Sequence, residues 1–152
     1  MVQKPFERLL VPTDFSPGAG AAATAAANLA QALGASVDVL TVVDTSPLID
    51  AYGNLSYRAE RIAAIHAQAN ETATAFANRH FAGVLEPPRI RVHVRDGNTF
   101  LEILRAAEDL GSDAIVMGTH GRTGVAHLLV GSVAEKVMRK SPIPVMTVRA
   151  SD

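Results

Sequence analysis

Short apolar segments alternate with longer helix-forming segments along almost the whole chain. We predict strands at Phe6–Val11, Ser36–Val43, Ile90–Val94, Ala114–Met117 and Pro144–Val148. Strands that are separated by helices imply right-handed crossovers and a parallel sheet with helices on both faces. The alternation therefore predicts an α/β fold, a Rossmann-like three-layer sandwich.

The helical segments carry their own start and stop signals. Ser16 followed by Pro17 is typical of a helix start, and Gly34 is typical of the residue after a helix end. We predict helices over 17–33 and 60–81, from Asn98 or Thr99 to Gly111, and over 132–140. The segment Asp44–Tyr57 is polar and contains proline and glycine, which predicts a loop.

Composition limits the class of protein. The 152 residues are 48% hydrophobic and 19% charged, with a formal net charge of −1 and no cysteine. These values predict one domain over 1–152, without disulfides, cysteine metal sites or a thiolate nucleophile. The net charge does not indicate binding to nucleic acid or to an anionic membrane. No signal peptide and no apolar stretch of roughly 18 residues is present, so we expect a cytoplasmic protein.

Glycines follow the fourth predicted strand at a spacing that suits a phosphate site. Gly118 and Gly121 are followed by Gly131 and Ser132, where the last predicted helix begins. Glycine lets backbone N–H groups approach an anion, and a helix N-terminus adds unpaired donors and partial positive charge. The alternative is that each glycine only makes a turn and that Ser132 only caps a helix. Taken as a set, the residues favour a phosphate cradle.

Two more strands end in polar residues that belong at the same edge of the sheet. Pro12-Thr13-Asp14 follows the first strand, and Asp44 follows Val42 and Val43 at the end of the second. Carboxyl ends of parallel strands converge where ligands bind. Asp14 either bonds a ribose or base edge, helps to hold a divalent cation, or forms a turn before the Ser16 cap.

Other motifs are weaker or absent. Gly18–Ala23 matches the dinucleotide fingerprint G-x-G-x-x-A, but its glycines fall inside the first helix, so we reject it. The chain has no P-loop signature, no H-E-x-x-H metal motif and no G-x-S-x-G elbow. Arg122 is the cation inside the glycine loop, and it either reaches phosphate or is solvated. His120 and His127 lie in or near this loop.

Together these residues resemble the universal stress protein family. ATP-binding members carry G-x2-G-x9-G-[ST] after the fourth strand, which is the spacing of Gly118, Gly121, Gly131 and Ser132. The resemblance extends over most of the chain, through the segments 8–16, 40–44, 97–99, 113–124, 130–137 and 142–148.

The resemblance implies a five-stranded parallel sheet of order 3-2-1-4-5 and a homodimer that pairs through the edge strand Pro144–Val148. It also implies an ATP site, with Mg²⁺ or Mn²⁺ accompanying the nucleotide. Its residues would be Pro12, Thr13 and Asp14 at the adenosine, Val42 and Met117 at the base, and Gly118, Gly121, Arg122, Gly131, Ser132 and Val133 at the ribose and phosphates.

Four functions remain open at this point. The first is an ATP-binding stress-response regulator that acts as a dimer with unknown protein partners. The others are a slow ATPase, a sensor of AMP or another adenosine ligand, and an interaction module that binds no nucleotide. The intact glycine set favours nucleotide binding over the last of these.

Overall fold

Five parallel strands form one sheet. The computed structural model describes residues 6–51, 55–120 and 130–151. The strands are β1 (Arg8–Pro12), β2 (Ser36–Val43), β3 (Ile90–Asp96), β4 (Ala114–Gly118) and β5 (Val145–Val148), in the order β3-β2-β1-β4-β5. The predicted α/β class and strand order are confirmed. The order reverses between β1 and β4, which is where ligands enter sheets of this kind.

Helices cover both faces of the sheet. They are α1 (Pro17–Leu33), α2 (Ser46–Ala51), α3 (Leu55–Phe81), α4 (Thr99–Asp109) and α5 (Ser132–Lys140), with a 3₁₀ turn at Pro87–Arg89. One hydrophobic core lies under α1 and α3, and the other lies under α4 and α5. In the described ranges, no helix is long and apolar enough to cross a bilayer.

Helix α1 starts and ends as its sequence predicts, and it packs through alanines. The Ser16 hydroxyl accepts the N–H of Ala19 at 3.2 Å, and Gly34 ends the helix with a φ of 71°. Its buried face consists of Ala19, Ala22, Ala23, Ala26, Ala27 and Ala30. Small side chains allow the helix backbone to approach the sheet closely.

The segment Asp44–Tyr57 is not the plain loop that its composition predicts. Helix α2 occupies Ser46–Ala51, and α3 begins at Leu55, five residues before the predicted start at Glu60. Pro47 lies in the first turn of α2, where proline is tolerated because its missing N–H has no intrahelical partner anyway. The Asp44 carboxylate accepts the Ser46 N–H at 3.0 Å, which supports this start.

Strand β2 carries a fully buried carboxylate, Asp38, beside the edge strand β3. Arg91 lies directly opposite Asp38 in the register, with its Nε 2.9 Å from Oδ1. The Nε2 atom of His93 is 2.8 Å from the same oxygen. A charge can be buried here because it is paired and hydrogen-bonded on both oxygens.

Asp96 connects the end of β3 to the segment after β2 and to α3. Its carboxylate accepts the N–H of Thr45 at 3.1 Å and the hydroxyl of Thr45 at 2.5 Å, and it lies 3.0 Å from Nε2 of His66. Burial alone raises the pKa of Asp96, but the hydrogen bonds from Thr45 and His66 outweigh it, so the pKa is lowered from its ordinary value of 3.8. The ionised form of Asp96 therefore stabilises the fold.

Replacing Asp96 with asparagine should remove an acid-sensitive part of the stability. Because the folded-state pKa lies below the unfolded value of 3.8, the stabilisation is complete above that value and is lost as the pH falls through the folded-state pKa. The gap in free energy of unfolding between wild type and Asp96→Asn should thus narrow as the pH falls below 3.8. Urea unfolding over a pH series measures this gap. Glu108→Gln, an exposed carboxylate of α4, is the control, and a gap independent of pH would contradict the assignment.

Candidate functional site

A cavity of about 280 Å³ lies at the carboxyl ends of β1, β2 and β4. Helices α1, α4 and α5 contribute residues from their first turns or close to them. The lining residues are Pro12, Thr13, Asp14, Ala19, Leu40, Val42, Thr99, Ile103, Met117, Gly118, Thr119, His120, Gly131, Ser132, Val133 and Ala134. The volume is near the lower end of the roughly 300–1,000 Å³ that is typical of small-molecule pockets.

Most residues predicted for the site line this one cavity. The segments around Asp14, Val42, Met117 and Ser132 are distant in sequence and meet there. Gly121 and Arg122, which were also predicted for the site, lie outside the described residues, as does His127.

Sequence reasoning missed part of the lining, chiefly Leu40, Thr99, Ile103 and Thr119. Leu40 lies two residues before Val42 on the same face of β2, and Ile103 lies one helical turn after Thr99 on α4. Strand and helix periodicity pair these positions once one member of each pair is known to face the cavity. Nothing in the sequence, however, showed that α4 borders the cavity.

The inner wall of the cavity is apolar and belongs to the hydrophobic core. Leu40 is fully buried, and Ile103 and Met117 are nearly so. Val42 and Val133 pack against the same core between the sheet and the helices α4 and α5. A flat apolar group would therefore leave water on entering this part of the cavity.

The turn between β1 and α1 supplies the polar side of the cavity. The Thr13 N–H donates to the carbonyl of Leu40 at 2.8 Å, which fastens the turn to β2. Thr13 Oγ1 accepts the Phe15 N–H, and Asp14 Oδ1 accepts the Ser16 N–H, both at 3.0 Å. Phe15 has a φ of 66°, a left-handed conformation that costs a non-glycine residue about 1–3 kcal/mol.

The three helices that border the cavity differ in whether a capping side chain accepts a hydrogen bond from their first N–H groups. Helix α1 is capped by the Ser16 side chain and α4 by the Asn98 side chain. Helix α5 begins after Gly131, which has no side-chain cap. Its first turn, Ser132–Ala134, lines the cavity. The first N–H groups of a helix have no intrahelical partner, so this end favours an anion.

Thr119 connects the site to its surroundings through three hydrogen bonds. Its N–H donates to the carbonyl of Val148 on β5 at 3.0 Å, and its carbonyl accepts the Gly131 N–H at 2.5 Å. Its hydroxyl lies 3.0 Å from Nδ1 of His120. The end of β4 is therefore joined directly to β5 and to the start of α5.

Gly118 is required by packing, besides lining the cavity. A Cβ atom at this position would lie 2.8 Å from the carbonyl carbon of Gly18 and 3.1 Å from the nitrogen of Ala19. A Cβ atom on Gly18 would in turn lie 2.8 Å from the carbonyl oxygen of His120. The two glycines thus let the first turn of α1 touch the end of β4. Gly18 and Gly20 lie within α1 and not in a strand-to-helix turn, which confirms the prediction that these glycines fall inside the first helix.

The described lining of the cavity carries an acidic side chain but no lysine or arginine. Asp14 is the carboxylate among the described residues that line the cavity, and none of those lining residues is lysine or arginine. The described part of the chain holds no group of three histidine, aspartate or glutamate residues that could bind a metal ion by itself. A ligand anion would therefore meet backbone donors and hydroxyls first.

Replacing Gly118 with alanine should destabilise the protein by about 1–3 kcal/mol, because the added methyl group overlaps backbone atoms of α1 that cannot move freely. Gly83→Ala is the matched control, since nothing lies within 4 Å of a Cβ at that position. The control should change the free energy of unfolding by less than about 1 kcal/mol. Equal stabilities of the two variants in urea unfolding would show that α1 does not pack as closely as described.

The chain is similar in sequence to a known protein family. The universal stress protein family matches residues 5–149 of the chain. A universal stress protein of Methanocaldococcus jannaschii, MJ0531, is 32% identical over 146 residues, which cover 95% of this chain and 82% of that protein.

Solved structures agree with this result. The structure of protein MJ0577 from the same organism has a TM-score of 0.78 at 27% identity, covering 96% of this chain and 97% of the other. A universal stress protein in complex with cAMP has a TM-score of 0.61 at 24% identity, covering 97% and 99%, a likeness that concerns the fold alone. From the family match over residues 5–149 and the shared sheet order, we conclude that the chain belongs to the universal stress protein family.

Proposed function

We propose that this protein is an ATP-binding stress-response regulator that acts as a homodimer. The observation that carries the proposal is a cavity with an apolar wall on one side and an uncapped helix N-terminus on the other. A nucleotide has the same two parts, an apolar base and an anionic phosphate chain. The structure solved with cAMP supports only the idea that this fold can hold such a ligand.

The apolar wall suits the adenine ring. Leu40, Val42, Ile103 and Met117 offer aliphatic and thioether surface from three elements, so that a flat base packed against them leaves water. Asp14 and Thr13 lie beside this wall and carry acceptors for a ribose or a base edge.

The start of α5 suits the phosphates. The cap residue Gly131 has no side chain that could accept the first N–H groups of the helix, and Ser132 adds a hydroxyl. Because no lysine or arginine is among the described lining residues, the charge of a triphosphate needs a counter-ion. Mg²⁺ or Mn²⁺ fits this need, with Asp14 as a carboxylate for the ion or for its water shell. Gly121 and Arg122 remain predicted contacts.

A negative charge introduced at Ser132 tests the phosphate site. Aspartate in a first helical turn stabilises the helix, so Ser132→Asp should fold normally, yet it should repel phosphate and weaken ATP binding by about tenfold or more. Ser132→Asn is the neutral control and should bind more tightly than Ser132→Asp. Equilibrium dialysis with ATP, AMP and adenosine measures these affinities, and adenosine should bind equally to both variants.

Several outcomes would contradict the proposal in different ways. Absence of saturable wild-type binding at millimolar ATP would favour an interaction module without nucleotide. Equal ATP affinities for the aspartate and asparagine variants would show that the start of α5 does not bind the phosphates. AMP that binds as tightly as ATP would favour the sensor of a shorter ligand, and steady phosphate release from ATP would favour a slow ATPase.

The dimer is proposed from the open edge of β5. The described residues give β5 one neighbouring strand, β4, and leave Met146 45% exposed. Pro144 and Val148 accept N–H groups of Ile115 and Thr119, so the alternate residues, Val145 and Thr147, direct their backbone groups to the free edge. An edge of this kind favours pairing with a second copy about a two-fold axis.

Thr147→Pro should abolish the dimer and preserve the monomer fold, because proline is tolerated on an edge strand where its missing N–H would have faced outward. Sedimentation velocity measures the mass of wild type and variant. Ser151→Pro, beyond the end of β5, is the control and should remain dimeric. A wild type that is monomeric at all concentrations, or a variant that still dimerises, would reject pairing through β5.

A further inference from the structure

An aromatic residue occupies a backbone conformation that favours glycine, next to the polar side of the cavity. The φ of Phe15 is 66°, whereas its neighbour Ser16 is extended, with a φ of −70° and a ψ of 164°. A bulky residue with positive φ is a genuine outlier and calls for a physical reason. The turn from β1 to α1 therefore depends on one unusual residue.

Tertiary contacts hold Phe15 in this conformation. Its ring meets the ring of Phe76 on α3 edge to face, with centroids 5.7 Å apart and planes at 68°. Phe76 is itself buried, and Phe15 packs partly buried against the same core. Aromatic pairs of this geometry attract each other beyond the area they bury, so α3 anchors the turn.

The conformation at Phe15 determines where the Asp14 carboxylate can lie. The bond from the Ser16 N–H to Asp14 Oδ1, 3.0 Å long, spans position 15. The bond from the Phe15 N–H to Thr13 Oγ1, also 3.0 Å long, closes the turn from the other side. An extended or right-handed backbone at position 15 would redirect the Ser16 N–H and release the carboxylate from its present orientation.

We propose that Phe15 is a positioning residue for ligand binding: its left-handed backbone, anchored on Phe76, orients the Asp14 carboxylate at the cavity. This inference rests on the proposed nucleotide function and deepens it. Phe15 does not line the cavity, so it acts through Asp14.

Two substitutions at one position separate the backbone effect from the loss of the ring. Phe15→Gly and Phe15→Ala both remove the contact with Phe76, but only glycine enters the left-handed region without a steric cost. Phe15→Gly should keep the ATP affinity within about threefold of wild type, whereas Phe15→Ala should lose about tenfold. Equal ATP affinities for the two variants would overturn the proposal, as would tighter binding by Phe15→Ala.

A double-mutant comparison tests whether Phe15 acts through Asp14. In an Asp14→Ala background, Phe15→Ala and Phe15→Gly should bind ATP alike, because the side chain that they position is gone. A difference that persists in this background would mean that Phe15 acts on another part of the site. If Phe15 had only a structural role, both variants would be less stable, and the difference between their ATP affinities would not depend on Asp14.

A measurement without ligand distinguishes failure of this inference from failure of the proposed function. Hydrogen exchange of the Ser16 amide reports the bond to Asp14 directly. Exchange should be faster in Phe15→Ala than in Phe15→Gly. If wild type binds no nucleotide but exchange differs in this way, the proposed function is wrong and the positioning of Asp14 stands. If exchange is the same in both variants, the positioning itself is overturned.

Discussion

The close contact between the start of α1 and the end of β4 sets the geometry on which the site depends. Gly18 and Gly118 meet without side chains between them, and a Cβ atom on either would approach backbone atoms to 2.8 Å. Ala19 and Gly118, which lie at this contact, line the cavity together with Asp14 and Met117. The alanine face of α1 continues the same close approach along the sheet. Small residues are used here because any larger side chain would separate the two elements.

The helices that start at this edge of the sheet differ in their N-terminal caps. Ser16 and Asn98 cap α1 and α4 with their own side chains, which stabilises the fold at those two ends. Helix α5 lacks such a cap, and Thr119 instead holds its start through the Gly131 N–H. The same Thr119 donates its N–H to the carbonyl of Val148, so one residue joins the site to the edge strand β5.

Much of the fold could be predicted because each signal was local. Ser16, Pro17 and Gly34 mark the ends of α1, and the β-branched residues of Ser36–Val43 mark β2, as the structure confirms. The prediction of a loop over Asp44–Tyr57 is wrong. Proline usually indicates a loop, but Pro47 lies in the first turn of α2, where a helix tolerates it. The burial of Asp38 could not be foreseen either, since its partner Arg91 comes from another strand through the register of the sheet.

The sequence by itself determined the alternation of strands and helices, the strand ends that carry polar residues, and the spacing of Gly118, Gly131 and Ser132. These are properties of residue type and of short-range order. Only the tertiary structure decided that α4 borders the cavity, that Gly118 serves packing as well as lining, and that Phe15 is held left-handed by Phe76. The physical reason is that each of these depends on contacts between elements far apart in the chain, and such contacts exist only once the sheet has set their distances.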